Sequence, residues 1–203
     1  MKWFWTGWLL CLITAGLFGY MAVIEVPAIS AMLGGMALPD AMPLGYDEQG
    51  ARALYEAFAA DFTAAQAEGR RSASAAYLAM HARSDLLLPP LLAASLAFCA
   101  FASIYTGRRQ AETSRLVSIG LGLVLAAAFV YLICDFIENA VADAMYGPTA
   151  MKAGFNDQLA FALKVLTIGK YSILAVAFGL IAALWIARWK RGRGIVPDVS
   201  QDG

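Results

Sequence analysis

The sequence predicts an all-α integral membrane protein, an antiparallel four-helix transmembrane bundle with a helical extracytoplasmic loop between spans 1 and 2. Composition is the first reason, because 61% of the 203 residues are hydrophobic, 15% are charged and the mean hydropathy is +0.64. Soluble domains are about 45–50% apolar and about 25% charged. The second reason is four apolar runs of roughly the 20 residues needed to cross a bilayer core. Lipid is therefore the expected surrounding.

The four runs follow one another as Trp8 to Ile24, Leu86 to Tyr105, Leu116 to Cys134 and Leu159 to Ala187. The first run has an alternative interpretation as a cleaved signal peptide, since Lys2 precedes it. However, it is longer than the usual apolar region of about 7–15 residues, and no A-x-A cleavage site follows it. We therefore expect a retained span.

The long segment between the first two spans is expected to form a helical cap. Apolar residues recur at helical spacing between Asp47 and Gln66, Asp47 is placed to cap the helix start, and Gly69 is placed to end it. Residues 72–83 predict a second short helix. The expected division of the chain is 1–25 first span, 26–85 extracytoplasmic cap, 86–190 spans two to four, and 191–203 disordered cytoplasmic tail.

Orientation follows from the basic residues in the short flanks of the spans. Three arginines lie between spans two and three, and four basic residues follow span four, whereas Lys152 alone lies between spans three and four. These residues are Arg108, Arg109, Arg115, Arg188, Lys190, Arg191 and Arg193. The sequence therefore predicts that both termini are cytoplasmic, and that 25–85 and 142–158 lie outside.

Composition also excludes some functions. The net charge is zero, so nothing indicates a nucleic-acid partner. The cysteines Cys11, Cys99 and Cys134 are far apart and form no C-x-x-C motif, which argues against a thiol–disulfide enzyme. His81 is the single histidine and has no neighbouring His or Cys, so we expect no zinc or haem site held by this chain alone. We expect His81 to be exposed, and whether the protein binds a cofactor stays open.

Polar residues near the end of the third run are the main functional signal. Asp135, Glu138 and Asn139 have i, i+3, i+4 spacing and share one helix face. If the third span ends near Val141, Asp135 lies roughly 9 Å below the outer surface, at about 1.5 Å per residue. Lys164 and Lys170, in the fourth run, then lie about 9 Å and about 18 Å deep.

Charges at membrane depth are costly unless they are paired or hydrated, and they normally face the bundle interior. We therefore predict a buried cluster of Asp135, Glu138 and either Lys170 or Lys164, with Asn139 and Thr167 as hydrogen-bond partners. Two roles stay open. The cluster is a ligand or proton site, or its ion pairs only fix helix register. Lys164 has the further alternative of extending to the headgroups.

Other candidate residues lie at the mouth of the second span and in the cap. Asp85 lies at the outer mouth of the second span, where Pro89 and Pro90 are expected to shape its first turns or to act as a hinge. Arg70, with Arg71, is placed to meet an anionic headgroup or a carboxylate from the cap, or it is a solvated surface residue.

Five elements of the chain together resemble a family of small, uncharacterised bacterial membrane proteins with four spans. They are "PDAMPLGYD", "GR" with Tyr77 following, "SDLLLPP", "DFIEN" in the third span (D-x-x-E-N) and "TIGKY" in the fourth (T-x-x-K). The resemblance covers about residues 38–172. It implies a bacterial inner (plasma) membrane location and favours Lys170 over Lys164. Its matched residues are Asp40, Gly45, Tyr46, Gly69, Arg70, Tyr77, Asp85, Asp135, Glu138, Asn139, Thr167 and Lys170.

The leading functional hypothesis is a polar intramembrane pocket, open to the outer side, that binds or processes a small amphiphile or membrane lipid. Asp135 and Glu138 would be acid and base, and Lys170 their electrostatic partner. The alternatives are an accessory or assembly subunit of a larger membrane complex, and a proton-coupled transport subunit, which would need a homo-oligomer or further partners. Whether the protein is an enzyme stays open.

Overall fold

The computed structural model describes residues 2–104 and 115–193, and all regular structure within these ranges is helical. Four long apolar helical stretches are packed together, and each is long and apolar enough to cross a membrane. They are Phe4–Met32, Ala73–Ile104, Arg115–Lys152 and Asp157–Lys190. The chain is therefore an integral, multi-pass membrane protein. The predicted basic residues Arg108 and Arg109, and the predicted tail from residue 194 onward, lie outside the described residues.

The first stretch runs further than the sequence analysis expects. Helix α1 (Lys2–Tyr20) continues through a π-helical turn, Met21–Glu25, into α2 (Val26–Met32). Pro27 lies in the first turn of α2, directly after the π turn, and it donates no backbone hydrogen bond there. In the π turn, the Glu25 carboxylate accepts a hydrogen bond from Ser84. This bond ties the first stretch to the start of the second.

The helix predicted between the first two long stretches is confirmed. Helix α3 (Glu48–Glu68) begins after Asp47, whose carboxylate accepts a hydrogen bond of 2.7 Å from the Gly50 N–H. It ends at Gly69, which has a φ of 67°, the left-handed conformation that ends many helices. Helix α4 (Ala73–His81) opens the second long stretch and packs against α3 in the cap; its start is capped in the same way by Ser72.

Three helices complete the bundle. Helix α5 (Ser84–Ile104) contains Pro89 and Pro90, and α6 spans Arg115–Tyr146 and α7 spans Asp157–Arg193. The end of α6 expected near Val141 was wrong. Alanines and Met145 prolong the apolar pattern, and the buried Tyr146 ring packs 5.1 Å from the Phe58 ring of the cap. Packing against the cap thus extends the helix.

Two apolar clusters form the core, one at each end of α6 and α7. The first lies under the cap and includes Leu38, Phe58 and Tyr146. The second lies at the opposite end and includes Val124 and Ala177. Along both helices, the buried polar residues fall between these clusters. Large apolar side chains also cover the outside, for example Leu12, Phe129, Phe161 and Phe178, as expected where lipid replaces water.

Candidate functional site

Helices α6 and α7 place an ion cluster in the middle of the bundle. The Lys170 Nζ lies 3.0 Å from the Asp135 Oδ1 and is also in contact with the Glu138 Oε2. The side chains are almost closed to solvent, with 9% of Lys170, 4% of Asp135 and 2% of Glu138 exposed. We call Asp135, Glu138, Lys170 and Thr167 the lysine cluster.

Helical spacing explains why these side chains meet. Asp135 and Glu138 are three residues apart on α6, and Thr167 and Lys170 are three apart on α7, so each pair projects from one face. The Thr167 Oγ1 lies 2.5 Å from the Glu138 Oε1 and 2.9 Å from the Leu163 carbonyl oxygen. One hydroxyl thus joins the carboxylate to the backbone of α7. The lysine cluster holds two carboxylates and one ammonium, so it has an excess of negative charge when all are ionised.

Two residues expected in this cluster lie beside it. Lys164 does not pair with Asp135 or Glu138, and instead lines a cleft nearer the cap. Among the described residues, the buried Asn139 Oδ1 has no hydrogen-bond partner. The depth estimate also changes, because α6 continues to Tyr146. Asp135 therefore lies about 17 Å from the end of its helix, at about 1.5 Å per residue.

His81 is buried, so the expectation of an exposed histidine was wrong. Only 5% of it is exposed, and its Nδ1 lies 2.6 Å from the Asp143 Oδ1 on α6. Its Nε2 lies 4.0 Å from the Asp40 Oδ2 and 3.9 Å from the Asp85 Oδ2. We call His81, Asp40, Asp85 and Asp143 the histidine cluster. A signal was present in the sequence, since Tyr77, His81 and Asp85 recur every four residues.

The segment between α2 and α3 carries Asp40 into the bundle. Tyr77 donates a hydrogen bond of 2.8 Å to the Asp40 Oδ2, and Tyr171 donates one of 2.7 Å to the Asp40 backbone carbonyl. Burial alone would raise the pKa of Asp40. Its contacts with His81, the charge of Lys170 and the Tyr77 hydrogen bond outweigh burial, so the pKa of Asp40 lies well below its ordinary value. The two clusters are thus electrostatic neighbours.

Tyr46 and Gly45 hold the other end of this segment close to α7. The Tyr46 hydroxyl donates to the Ala37 carbonyl oxygen, which closes the segment on itself. Gly45 has a φ of 66°, and a Cβ on it would lie 2.9 Å from the Lys164 Cγ and 3.3 Å from the Lys164 Cα. Partial burial and the nearby Asp40 charge raise the pKa of Tyr46. Its hydroxyl therefore stays a hydrogen-bond donor.

A cleft of about 180 Å³ opens where this segment meets the start of α7. Its lining is mixed, with Tyr46, Glu48, Asp157, Phe161 and Lys164 among the contributing residues. A narrower cavity shares Tyr46 and Lys164 with the cleft and extends to Thr167. The cleft and this cavity therefore lead from the cap toward the lysine cluster.

Arg70 lies within the cap, where it fixes the turn between α3 and α4. Its Nη1 lies 2.7 Å from the Asp61 Oδ1, and its Nε lies 2.6 Å from the Glu68 Oε2. The buried Asp61 also accepts a hydrogen bond of 2.5 Å from the Ala73 N–H. The pKa of Arg70 is raised by its hydrogen bonds to Glu68 and Asp61. The structure thus gives Arg70 two carboxylate partners of the cap itself and does not bring it to the buried clusters.

No protein-family model, curated protein or solved structure matches this chain. The four long apolar helices agree with the four-span architecture that the sequence resemblance implies, and no family is identified.

Proposed function

We propose that this membrane protein binds the polar head of a small amphiphile or lipid beside the lysine cluster. The observation that carries this proposal is the position of Lys170, which is held between two carboxylates inside a membrane-spanning bundle. Ionisable residues at such depth are costly, and they commonly mark binding sites or proton pathways. The cleft near Lys164, and the narrow cavity that reaches Thr167, mark the side from which the lysine cluster would be reached.

The size of the cleft limits what enters it. Its volume of about 180 Å³ is close to that of an engineered cavity of about 150 Å³ that binds benzene. It is below the range of about 300–1,000 Å³ typical of drug-sized ligands. A headgroup or a short piece of chain fits, and a complete lipid does not. The rest of the amphiphile must therefore lie outside the cleft.

The lipid-facing surface of α7 offers a place for the remaining chain. Phe161, Val165 and Ile168 are 70%, 52% and 37% exposed. Their i, i+4, i+7 spacing puts them on one stripe, and Phe161 also lines the cleft. An amphiphile with its head near Lys164 and its chain along this stripe satisfies both the polar and the apolar contacts. Lys164 is then a contact for an anionic head.

Access to the lysine cluster requires movement of the segment that carries Asp40 and Tyr46. Both residues are anchored by tyrosine hydrogen bonds, and the cluster behind them is closed. In this proposal the segment is a cover. Once the segment opens, Asp135 and Glu138 are the candidate acid and base, and the ammonium of Lys170 compensates their negative charge. The amphiphile is the ligand class that the geometry favours, with or without a chemical step.

The proposed arrangement in the membrane is an antiparallel bundle with the cap on the extracytoplasmic side of a bacterial inner membrane. Contacts between the first two long stretches support opposite directions. Glu25 bonds to Ser84, whereas the Thr14 hydroxyl lies 2.9 Å from the Ser95 Oγ and the Cys11 Sγ lies 3.8 Å from the Cys99 Sγ. The numbering rises in one stretch as it falls in the other. The basic flanks put both termini in the cytoplasm.

The binding proposal is tested with the charge-neutralising variants Asp135→Asn and Glu138→Gln. Each is purified in mild detergent, and bound lipid is identified by native mass spectrometry and quantified by rebinding of the same lipid in nanodiscs. We expect at least a tenfold gain of affinity for a lipid with an anionic head, because each variant removes a negative charge that repels the head. Glu56→Gln, on the exposed face of α3, is the matched control. Folded variants that bind the same lipid with unchanged affinity would disprove the proposal.

An accessory role in a larger membrane complex is the second candidate. It is favoured by the closed pairing of Lys170 with both carboxylates, which is also the geometry of a cluster that only fixes helix register. Stoichiometric partners retained in mild detergent, together with no bound lipid, would support this role. Proton-coupled transport is less favoured, because the apolar cluster around Val124 and Ala177 lies on the proposed cytoplasmic side of Lys170.

A further inference from the structure

The histidine cluster has the arrangement of a metal site. One atom from each of Asp40, His81 and Asp85 lies within 4.8 Å of the others. His81 and Asp85 are four residues apart, and Asp40 comes from a distant segment of the chain. Asp40 arrives on the segment after α2, His81 ends α4, and Asp85 lies in the first turn of α5. The fold therefore assembles a set that is not visible as a short sequence motif.

Two buried atoms point into this set without a hydrogen-bond partner among the described residues. They are the Nε2 of His81 and the Oδ2 of Asp85, on side chains that are 5% and 6% exposed. Buried polar atoms are normally paired, because an unsatisfied one costs about 1–3 kcal/mol. The two atoms lie 3.9 Å apart, too far for a hydrogen bond. A cation between them would satisfy both.

The other nitrogen of His81 is held as metal-binding histidines usually are. The Nδ1 lies 2.6 Å from the Asp143 Oδ1. A metal-binding imidazole commonly donates its second N–H to a carboxylate, which fixes the ring and leaves the other nitrogen free to coordinate. With the proton on Nδ1, the Nε2 lone pair faces Asp40 and Asp85. Asp143 is thus a positioning residue for the ring.

The charge balance of the bundle also favours a cation. Five carboxylates belong to the two clusters, whereas Lys170 and His81 are their only basic members. Even with His81 protonated, full ionisation leaves an excess of negative charge in an interior of low dielectric. A divalent cation would reduce that excess more than the single proton that it displaces from the imidazole.

We infer that Asp40, His81 and Asp85 bind a divalent transition-metal cation, of the zinc or manganese class. An imidazole nitrogen with two carboxylate oxygens suits these ions, whereas calcium and magnesium prefer oxygen ligands alone. Tetrahedral bonds of about 2.1 Å separate ligand atoms by about 3.4 Å. The 3.9 and 4.0 Å from the His81 Nε2 to the two carboxylates require a contraction of about half an ångström, and the two carboxylate oxygens, which lie within 4.8 Å of each other, must also close on the ion. Asp40, with 20% of its side chain exposed, leaves access for water or a ligand at the remaining position.

The site is tested on the full chain in detergent after chelator treatment and dialysis. Zn²⁺ or Mn²⁺ is added, and binding is followed by calorimetry and by elemental analysis of the washed protein. We expect one ion per chain, with release of protons if the imidazole was protonated. His81→Ala and Asp85→Asn should lower the affinity at least 100-fold, whereas Glu56→Gln, which removes an exposed carboxylate from the cap, should leave it unchanged.

Asp143→Asn separates coordination from positioning. Loss of an outer partner typically weakens metal binding by about 10- to 100-fold, so this variant should bind the same ion less tightly with the same stoichiometry. X-ray absorption of zinc-loaded wild-type protein needs no variant, and should show one nitrogen and oxygen ligands at about 2.0–2.2 Å. Wild-type protein that takes up neither ion would overturn the inference, and so would unchanged binding by folded His81→Ala. In either case His81 is only an ion-pair partner of its carboxylates.

Discussion

Lys170 compensates the charge of the two buried carboxylates around it. Two carboxylates approach its ammonium from α6, and all three side chains are buried, so neither carboxylate has another basic partner within the lysine cluster. Breaking a buried ion pair by removing one partner usually costs about 3–5 kcal/mol, because the remaining charge stays in a poor solvent. The Thr167 hydroxyl supports Glu138 alone.

Lys170→Met is therefore expected to destabilise the protein by about 3–5 kcal/mol. The measurement is the free energy of unfolding in mixed detergent micelles, with helicity as the signal. Lys164→Met is the matched control, because it removes a lysine from the same helix that does not pair with either carboxylate of the lysine cluster. It should change stability by less than about 1 kcal/mol. Equal effects of the two variants would show that the ion pairs contribute nothing particular.

At this scale, the sequence predicts which residues belong to the lysine cluster better than it predicts side-chain contacts. Helical spacing places Asp135 and Glu138 on one face, and the resemblance favours Lys170, which the structure pairs with both. The buried position of His81 could not be predicted from helical spacing. Its partners Asp40 and Asp143 are separated from it by 41 and 62 residues, and only the folding of the cap brings them together.

At the scale of elements, the segment between α2 and α3 connects the cap to the bundle. It lacks a long helix, yet Leu38 is fully buried, and Asp40 contacts side chains of both α4 and α7. Periodicity and capping residues predict the two cap helices. The Pro- and Gly-rich residues 37–50 indicate only turns, because the packing of this segment depends on contacts made after folding.

Gly45→Ala tests the close approach of this segment to α7. The left-handed φ of 66° disfavours alanine by roughly 1–2 kcal/mol, and the new Cβ would also meet Lys164. We expect a loss of unfolding free energy of at least that size, together with faster proteolysis of residues 36–47. Gly122→Ala is the control, since a Cβ there meets nothing within 4 Å and helical alanine is favoured by roughly 0.5–1 kcal/mol. Equal stability of Gly45→Ala and wild type would contradict the tight approach.

At the scale of the whole molecule, polarity is distributed unevenly along the bundle. The two clusters and the cleft lie toward the cap, and the opposite end is an apolar core around Val124, Ala177 and Leu184. This division was predictable, because the ionisable residues within or directly beside the four runs (Glu25, Asp85, Asp135 and Lys170) fall on the same side once the directions of the runs alternate. The nearly complete exclusion of the lysine cluster from solvent was not predictable from the sequence, since it depends on how tightly the cap packs.

The proposed orientation is tested with single cysteines in a chain whose Cys11, Cys99 and Cys134 are replaced by alanine. E56C, in the cap, should react with a membrane-impermeant maleimide added to intact spheroplasts. R115C, at the start of α6, should react only after the membrane is permeabilised. The positive-inside rule gives this result, since Arg115 belongs to the basic flank. Labelling of R115C alone in intact spheroplasts would reverse the topology.

The tyrosine hydrogen bonds to Asp40 have a consequence for truncated forms of this protein. Tyr77 and Tyr171 donate hydrogen bonds to the same residue from two different helices. Deleting the cap would therefore also remove the segment that carries Asp40 from the bundle. Water would then reach the buried ionisable side chains of the two clusters. Measurements on a shortened protein would describe a hydrated interior that the intact chain does not have.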